Sequence, residues 1–106
     1  MREDRIMMNT EVMKDLQATL STGTYSGKVD VAFQTTLSTV MVRSRIVNPQ
    51  ITLSESLASL QNRNKTTRAD ISFRDIKSIT PRTFYDGKCY CIEYDNGLLM
   101  TVTFMP

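Results

Sequence analysis

Apolar residues alternate with polar ones near the C-terminus, on both sides of Asn96-Gly97. Residues 90–94 lead into this dipeptide and residues 98–104 leave it, so each segment presents one apolar face, as strands do. Asn and Gly both reach positive φ at low steric cost, and the pair therefore predicts a type I′ turn within a β-hairpin. The apolar positions of the two faces are Tyr90, Ile92 and Tyr94, then Leu98, Met100, Val102 and Phe104.

The same period of two extends upstream and predicts a three-stranded meander. Residues 71–79 alternate like a strand, except for a three-residue spacing that predicts a bulge or short turn at Asp75. Pro81 is expected to close this strand, because proline cannot donate a ladder hydrogen bond. A second turn is predicted at Asp86-Gly87, before the strand that starts at residue 88.

Near the N-terminus the pattern changes to the period of a helix. Asn9-Thr10 can cap a helix and Ser21-Thr22-Gly23 is typical of a helix end, so we predict a helix at residues 9–21 after a flexible N-terminus at residues 1–8. Its stripe is expected to cover the open side of the sheet, and a partner-binding or membrane-surface helix is the alternative. The stripe consists of Val12, Met13, Leu16 and Leu20.

Two further strands are predicted between this helix and Asn48-Pro49. Val, Thr and apolar alternation place them at residues 28–33 and 39–46, with a turn at residues 34–36. Asn48-Pro49 is expected to end the second of these strands.

Residues 50–62 carry two conflicting patterns. Ile51-Thr52-Leu53 is strand-like, yet Thr52 and Glu55 have capping-box spacing and the leucines have helical spacing. We predict a short strand that runs into a polar, mobile stretch, and a helix of one or two turns is the alternative. Residues 61–68 are polar and predict an exposed loop at about residues 60–68.

These elements predict one α+β domain over residues 1–106, mainly antiparallel β. An N-terminal helix is followed by a β-rich body at residues 24–105, expected as a five- or six-stranded small barrel or strongly bent sheet. If the final strand lies at an edge, it is a natural place for strand-to-strand pairing, so a homodimer or higher oligomer is possible.

The net charge of +2 decides little, but its distribution is uneven. Residues 61–82 carry six cations against two acids, and a polar loop with several cations can follow a phosphate backbone. Tyr85 and Tyr90 are expected to stack on bases if they are exposed. The alternative is a loop that keeps the protein soluble, with the tyrosines in the core. The candidate nucleic-acid-binding residues are Arg43, Arg45, Arg63, Lys65, Arg68 and Arg74.

The chain contains no histidine, which excludes His-activated nucleophiles and His ligands within it. Cys89 and Cys91 lie two apart on one strand face, too poorly arranged for a mutual disulfide, and are expected to be reduced. Intermolecular pairing, or a metal shared within an oligomer, is the alternative for them. Glu93 and Asp95 are the carboxylate pair best placed for acid–base work, although they flank a turn where solvated acids are normal. We expect no catalytic residue, metal or cofactor.

No apolar run approaches the ~20 residues of a membrane-spanning helix. The N-terminal residues 1–5 carry acids as well as bases and lack the apolar core of a signal peptide. A cytoplasmic protein with no membrane partner is therefore expected.

The order of elements over residues 9–80 resembles the small-barrel arrangement of Sm-like proteins. The Asp, Asn and Arg-Gly signatures of that family are absent here, and residues 71–76 stand where its Arg-Gly would fall. The resemblance implies a barrel-like strand order and does not extend to the residues of uridine binding.

Ile71-Ser72-Phe73-Arg74-Asp75-Ile76-Lys77-Ser78-Ile79, together with Asp4-Arg5, resembles the YolD-like family of small bacterial and phage proteins. That family is linked by gene neighbourhood to Y-family polymerases and has no established activity. The resemblance implies a protein of phage or mobile-element origin that works near nucleic acid.

The function predicted from these features is a non-enzymatic, nucleic-acid-associated regulatory module. The alternative is a protein-interaction or inhibitor module that acts through an edge strand or the N-terminal helix. An enzyme that uses Glu93 and Asp95 ranks behind both.

Overall fold

The computed structural model describes residues 2–35, 41–83 and 87–106, which form one helix and eight strands. The eight strands exceed the five or six predicted. In chain order the elements are α1 (Arg2–Leu20), β1 (Lys28–Thr35), β2 (Met41–Val47), β3 (Gln50–Leu53), β4 (Leu57–Gln61), β5 (Arg68–Ser72), β6 (Ile76–Thr83), β7 (Lys88–Tyr94) and β8 (Leu98–Met105).

The strands form two antiparallel sheets. One has five strands in the order β2-β1-β8-β7-β6, and the other has three in the order β3-β4-β5. The α+β class with mainly antiparallel strands is thus confirmed, whereas the two separate ladders do not confirm a closed barrel. The final strand is also not at an edge, because β8 lies between β1 and β7.

The core lies between the inner faces of the two sheets and is completed by α1. Directly opposed residues share a face, so the register of the ladders sets which side chains point inward. The helix packs against β6 and β3 and supplies two fully buried leucines. The buried residues of the core are Leu16 and Leu20 from α1, Val29, Val31, Ile46, Ile79, Tyr90, Ile92, Tyr94, Met100, Val102 and Phe104 from the larger sheet, and Ile51, Ala58, Leu60, Ala69, Ile71 and Phe73 from or beside the smaller one.

The predicted helix is present, but it is longer than predicted and begins at Arg2. The predicted cap at Asn9-Thr10 is wrong, because the backbone is already helical from Arg2. The flexibility expected for residues 1–8 stays a prediction. The predicted stripe and the helix end are confirmed. Leu16 and Leu20 are buried, and Gly23 has a φ of 78°, which suits a residue without a β-carbon.

The C-terminal hairpin follows the predicted faces, with Tyr90 opposite Val102 and Ile92 opposite Met100. Its turn differs from the predicted type I′. Within this turn only Gly97 has a positive φ, of 86°. The Gly97 N–H donates to the Tyr94 carbonyl at 3.0 Å. One left-handed glycine after a type I turn connects the strands here, so Asn96 avoids the strained region.

The predicted turn at Asp75 is confirmed, since Asp75 has a φ of 58° between β5 and β6. The prediction that Pro81 closes the strand is wrong, because β6 continues to Thr83. Proline is tolerated at this position because β6 is an edge strand, where one side of the backbone has no ladder partner.

The ambiguous residues 50–62 form the hairpin β3–β4. The prediction of a strand at residues 51–53 is confirmed, and the predicted polar stretch after it is wrong at residues 57–61, which form a second strand. Asn48-Pro49 ends β2 as predicted. Part of the predicted turn at residues 34–36 and part of the Asp86-Gly87 turn lie outside the described residues.

Candidate interaction site

Two of the six predicted basic residues are neutralised by acids on the same sheet face. Arg45 on β2 holds Asp30 on β1 through two contacts, Nε to Oδ1 at 2.8 Å and Nη2 to Oδ2 at 3.0 Å. Hydrogen bonding from Arg45 lowers the pKa of the Asp30 carboxyl. Arg68 donates its Nε to Asp70 Oδ1 at 3.0 Å. These two cations are therefore less free for phosphate than their positions in the sequence indicate.

The polar loop is organised by one side chain, that of Asn62. Its Oδ1 accepts from the backbone N–H groups of Thr66 and Thr67 at 2.8 and 3.0 Å, and its backbone N–H donates to the Thr67 carbonyl. Lys65 takes a φ of 58° within this turn. Arg63 and Lys65 are exposed there, and no ion pair is formed by either within the described part of the chain.

Arg74 lies in an acidic setting. It borders a cleft of about 430 Å³ between the ends of the two sheets. Its lining combines apolar side chains with three aspartates, and carboxylates do not favour a phosphate backbone. The lining residues are Phe33, Leu57, Asp70, Ser72, Arg74, Asp75, Tyr94, Asp95, Asn96, Leu98 and Met100.

The two tyrosines proposed for base stacking do not form a platform. Tyr90 is 1% exposed, and its hydroxyl donates to the Asp15 carboxylate of α1. Burial, together with this hydrogen bond, raises the pKa of Tyr90 to about 12. Tyr85 lies outside the described residues. The expected core position is thus confirmed for Tyr90 alone, and the role of the loop stays a prediction.

The two candidate carboxylates have different surroundings. Glu93 lies 3.7 Å from Lys77 Nζ and accepts from the Ser78 hydroxyl at 3.3 Å, whereas Asp95 lines the cleft. Cys89 and Cys91 are free thiols, and burial raises the pKa of Cys89. Among the described residues no group of three or more His, Cys, Asp or Glu side chains is placed to hold a metal.

The feature that sequence reasoning missed is the edge formed by β2. All seven residues from 41 to 47 belong to one strand, and it pairs with β1 in unbroken register from Lys28↔Val47 to Gln34↔Met41. Within the described residues, no strand is hydrogen-bonded to the other side of β2. A row of backbone N–H and C=O groups is thus open to a further strand.

The side chains along β2 are unusually apolar for an exposed edge. Met41, Val42 and Val47 are 52%, 56% and 51% exposed. Arg43 and Arg45 are exposed between them, and Met41, Arg43, Arg45 and Val47 share the outer face by strand alternation. Ile46 points inward and is fully buried, so β2 is anchored to the core where it approaches β5.

The sequence contains a signal for this edge that is ambiguous on its own. Val40-Met41-Val42 is apolar at successive positions, which is typical of a strand covered on both faces. Which strand lacks a neighbour depends on the pairing of β1 with β8, and no local pattern encodes that pairing.

Comparison of the chain with protein-family models, with curated proteins and with solved structures finds no match. The YolD-like and Sm-like resemblances therefore stay predictions. No helix in the described part of the chain is both long and apolar enough to cross a membrane.

Proposed function

We propose that this protein is a non-enzymatic interaction module that binds an extended segment of a partner protein along the open edge of β2. The observation that carries this proposal is the exposed, regular and largely apolar strand at one end of the five-stranded sheet. Proteins that do not use such an edge protect it with prolines, bulges, charges or a covering element.

Strand addition is a recurrent mode of peptide recognition. Backbone hydrogen bonds supply affinity, and alternate side chains supply specificity. At β2 the exposed Met41, Val42 and Val47 provide apolar surface that a partner strand would bury. The anchored Ile46 keeps the strand in place before the partner arrives, which limits the ordering cost of binding.

Nucleic-acid binding is the competing proposal. It is favoured by the exposed Arg43, Arg63 and Lys65, which form no ion pair among the described residues. It is weakened by the acidic surroundings of Arg74 and by the burial of Tyr90. These observations favour a protein partner over a nucleic acid.

The test is amide hydrogen exchange of the full chain with peptides selected from a displayed library of extended sequences. Strand addition predicts new protection of alternate amides in residues 41–47, because only groups on the open side gain partners. Protection confined to α1 or to the cleft would overturn the proposal.

A parallel anisotropy titration with labelled DNA and RNA at ~50 and ~200 mM salt addresses the competing proposal. The expected result is weak or no binding at both concentrations. Salt-sensitive binding that is lost in an Arg63→Gln/Lys65→Gln variant, with no peptide protecting β2, would replace the proposed function by nucleic-acid recognition.

A further inference from the structure

The charges along β2 indicate which side chains a partner strand must carry to bind there. We infer that the partner segment is acidic and presents two carboxylates, separated by one residue, opposite Arg43 and Arg45. This inference rests on the proposed function and adds to it the chemical class of the partner.

The first step is geometric. Side chains of neighbouring strands lie directly opposite each other, with β-carbons ~4.5–5.5 Å apart, so each outward residue of β2 meets one partner residue. Since Arg43 and Arg45 share the outer face, their opposite numbers are two apart on the partner. Apolar partner residues opposite Met41 and Val47 would complete the row.

The second step is electrostatic. Arg43 is exposed and forms no ion pair among the described residues, whereas Arg45 already holds Asp30 in two contacts. A partner carboxylate opposite Arg43 can therefore form an ion pair without displacing a carboxylate of this chain. Arg43 is therefore the main anchor, and the position opposite Arg45 contributes less.

The third step shows why a second copy of this chain is disfavoured as the occupant. If two β2 strands pair antiparallel around a two-fold axis through residue 43, 44 or 45, every one of these registers places an arginine opposite an arginine. Like charges directly opposite each other destabilise a strand pair. The two arginines thus disfavour self-pairing and favour an acidic strand.

The core-facing side of the partner is also specified. Val42 points towards the core side but is 56% exposed, so it has room to be covered. The partner residue opposite Val42 is expected to be apolar, which would bury both side chains. The segment therefore alternates carboxylates on the outer face with at least one apolar residue on the inner face.

The probe is a labelled peptide, Val-Val-Glu-Thr-Glu-Val-Val between Gly-Ser linkers, in which the two acids meet the two arginines in either strand direction. Matched peptides carry Gln or Lys in place of both Glu residues. Binding is measured by anisotropy with the full chain, and the site by protection of the β2 amides. We expect the Glu peptide to bind about tenfold more tightly than the Gln peptide, and the Lys peptide to bind most weakly.

Charge reversal on the protein provides the decisive arm. Arg43→Gln should reduce the preference for Glu over Gln about fivefold, which leaves the smaller share for Arg45, and Arg43→Glu should make the Lys peptide the better ligand. The matched control is Arg82→Gln, which removes an exposed cation from β6 at the far edge of the same sheet and should change nothing. A folded-state spectrum of each variant shows whether its sheet is intact.

The outcomes separate the inference from the function on which it rests. Protection of β2 by all three peptides with equal affinity would overturn the acidic partner and leave strand addition standing. If none of these peptides and none of the library-selected peptides protects the β2 amides, both the acidic partner and strand addition are overturned. Concentration-dependent dimerisation through β2 in sedimentation, with no preference for the Glu peptide, would replace the acidic partner by a second copy.

Discussion

On the β6 side of the five-stranded sheet, α1 lies against the last strand and one of its side chains reaches the backbone. Asn9 Nδ2 donates to the Lys77 carbonyl, and its Oδ1 accepts from the Ile79 N–H, both at 3.4 Å. The same strand contains Pro81 and a register irregularity between Ile76 and Ser78. Each of these features hinders the addition of another strand.

On the β2 side of the same sheet, the described residues include no proline, bulge or side chain that caps the strand. The contrast teaches that the β6 edge is blocked by a helix, a proline and an irregular register, whereas the β2 edge carries only the charges of Arg43 and Arg45 as protection, although both edges belong to a single sheet. The smaller sheet follows the protected pattern at β3, where Ile51 N–H donates to the Gly23 carbonyl at 2.8 Å. Accessibility is thus a local property of β2, and it can be tested against β6.

The largest expected difference concerns stability. Ile79→Ala removes a side chain that is 3% exposed on β6 and should lower the free energy of unfolding by about 2–5 kcal/mol. Val42→Ala on β2 should cost less than about 1 kcal/mol, because Val42 is already mostly exposed. Urea unfolding of both variants measures the two values. Similar losses would mean that the β2 edge is as covered as the β6 edge.

The next effect concerns the link between α1 and β7 beside the protected edge. Tyr90→Phe removes the hydrogen bond to Asp15 and should cost about 1–2 kcal/mol at neutral pH. The pKa of Tyr90 is raised from its ordinary 10.0 to about 12, so the unfolded chain loses this proton first and stability falls as pH rises through that interval.

The pH dependence gives this prediction its control. Tyr94 also has its pKa raised to about 12 by burial, so the Tyr90→Phe variant should keep part of the alkaline loss, and the wild type should show more. Thermal unfolding at neutral pH and between pH ~10 and ~12 makes the comparison. An alkaline slope that is identical in both proteins would contradict the assignment.

A smaller effect is expected from the cap on β6. Asn9→Ala removes both side-chain contacts with the strand and should cost about 1 kcal/mol, partly offset by the higher helix propensity of alanine. Glu11→Ala, at an exposed position of the same helix, is the matched control. Faster amide exchange of β6 in the first variant alone would confirm the capping role, and equal exchange in both would dismiss it.

The smallest effect concerns the ion pair beside β2. Asp30→Asn should cost about 0.5 kcal/mol at neutral pH, since the pair is partly exposed. Because Arg45 lowers the Asp30 pKa below its ordinary 3.8, the wild-type advantage is present above that value and is lost as pH falls through the lower folded pKa. Unfolding of both proteins at pH ~7 and pH ~3 measures this.

The same variant sharpens the comparison of the edges. Without the carboxylate of Asp30, Arg45 becomes a second unpaired cation on β2 beside Arg43. The acidic peptide should then bind about twofold more tightly. Asp70→Asn, which frees Arg68 on the other sheet, should leave peptide binding unchanged. An equal gain from both variants would indicate general attraction instead of a defined register.

What the sequence predicts correctly is mainly local. The β7–β8 hairpin depends on one turn and two short alternating segments, and the stripe of α1 depends on spacing within one helix. Strand β4 escaped prediction because residues 57–61 also fit helical spacing, and only pairing with β3 and β5 decides between the two. Likewise Pro81 looked like a strand end because its edge position was unknown.

The candidate site divides in the same way. Arg68 and Asp70 lie two apart on one strand, so their ion pair follows from alternation. The pair Arg45–Asp30 joins different strands and requires the register of β1 with β2. The open edge is the least local feature of all, because it depends on which of the described strands pair with each other and leaves β2 at the end of the sheet.

The place of β8 in the centre of the larger sheet has a consequence for the synthesis of the protein. β1 and β2 leave the ribosome before β8, and Val31 cannot meet its partner Val102 until β8 follows. Until then the nascent β1–β2 hairpin exposes two unpaired sides instead of one. Strand pairing between distant parts of a chain forms slowly. We therefore expect the newly made chain to need shielding from premature strand contacts until β8, the central strand of the larger sheet, has been translated.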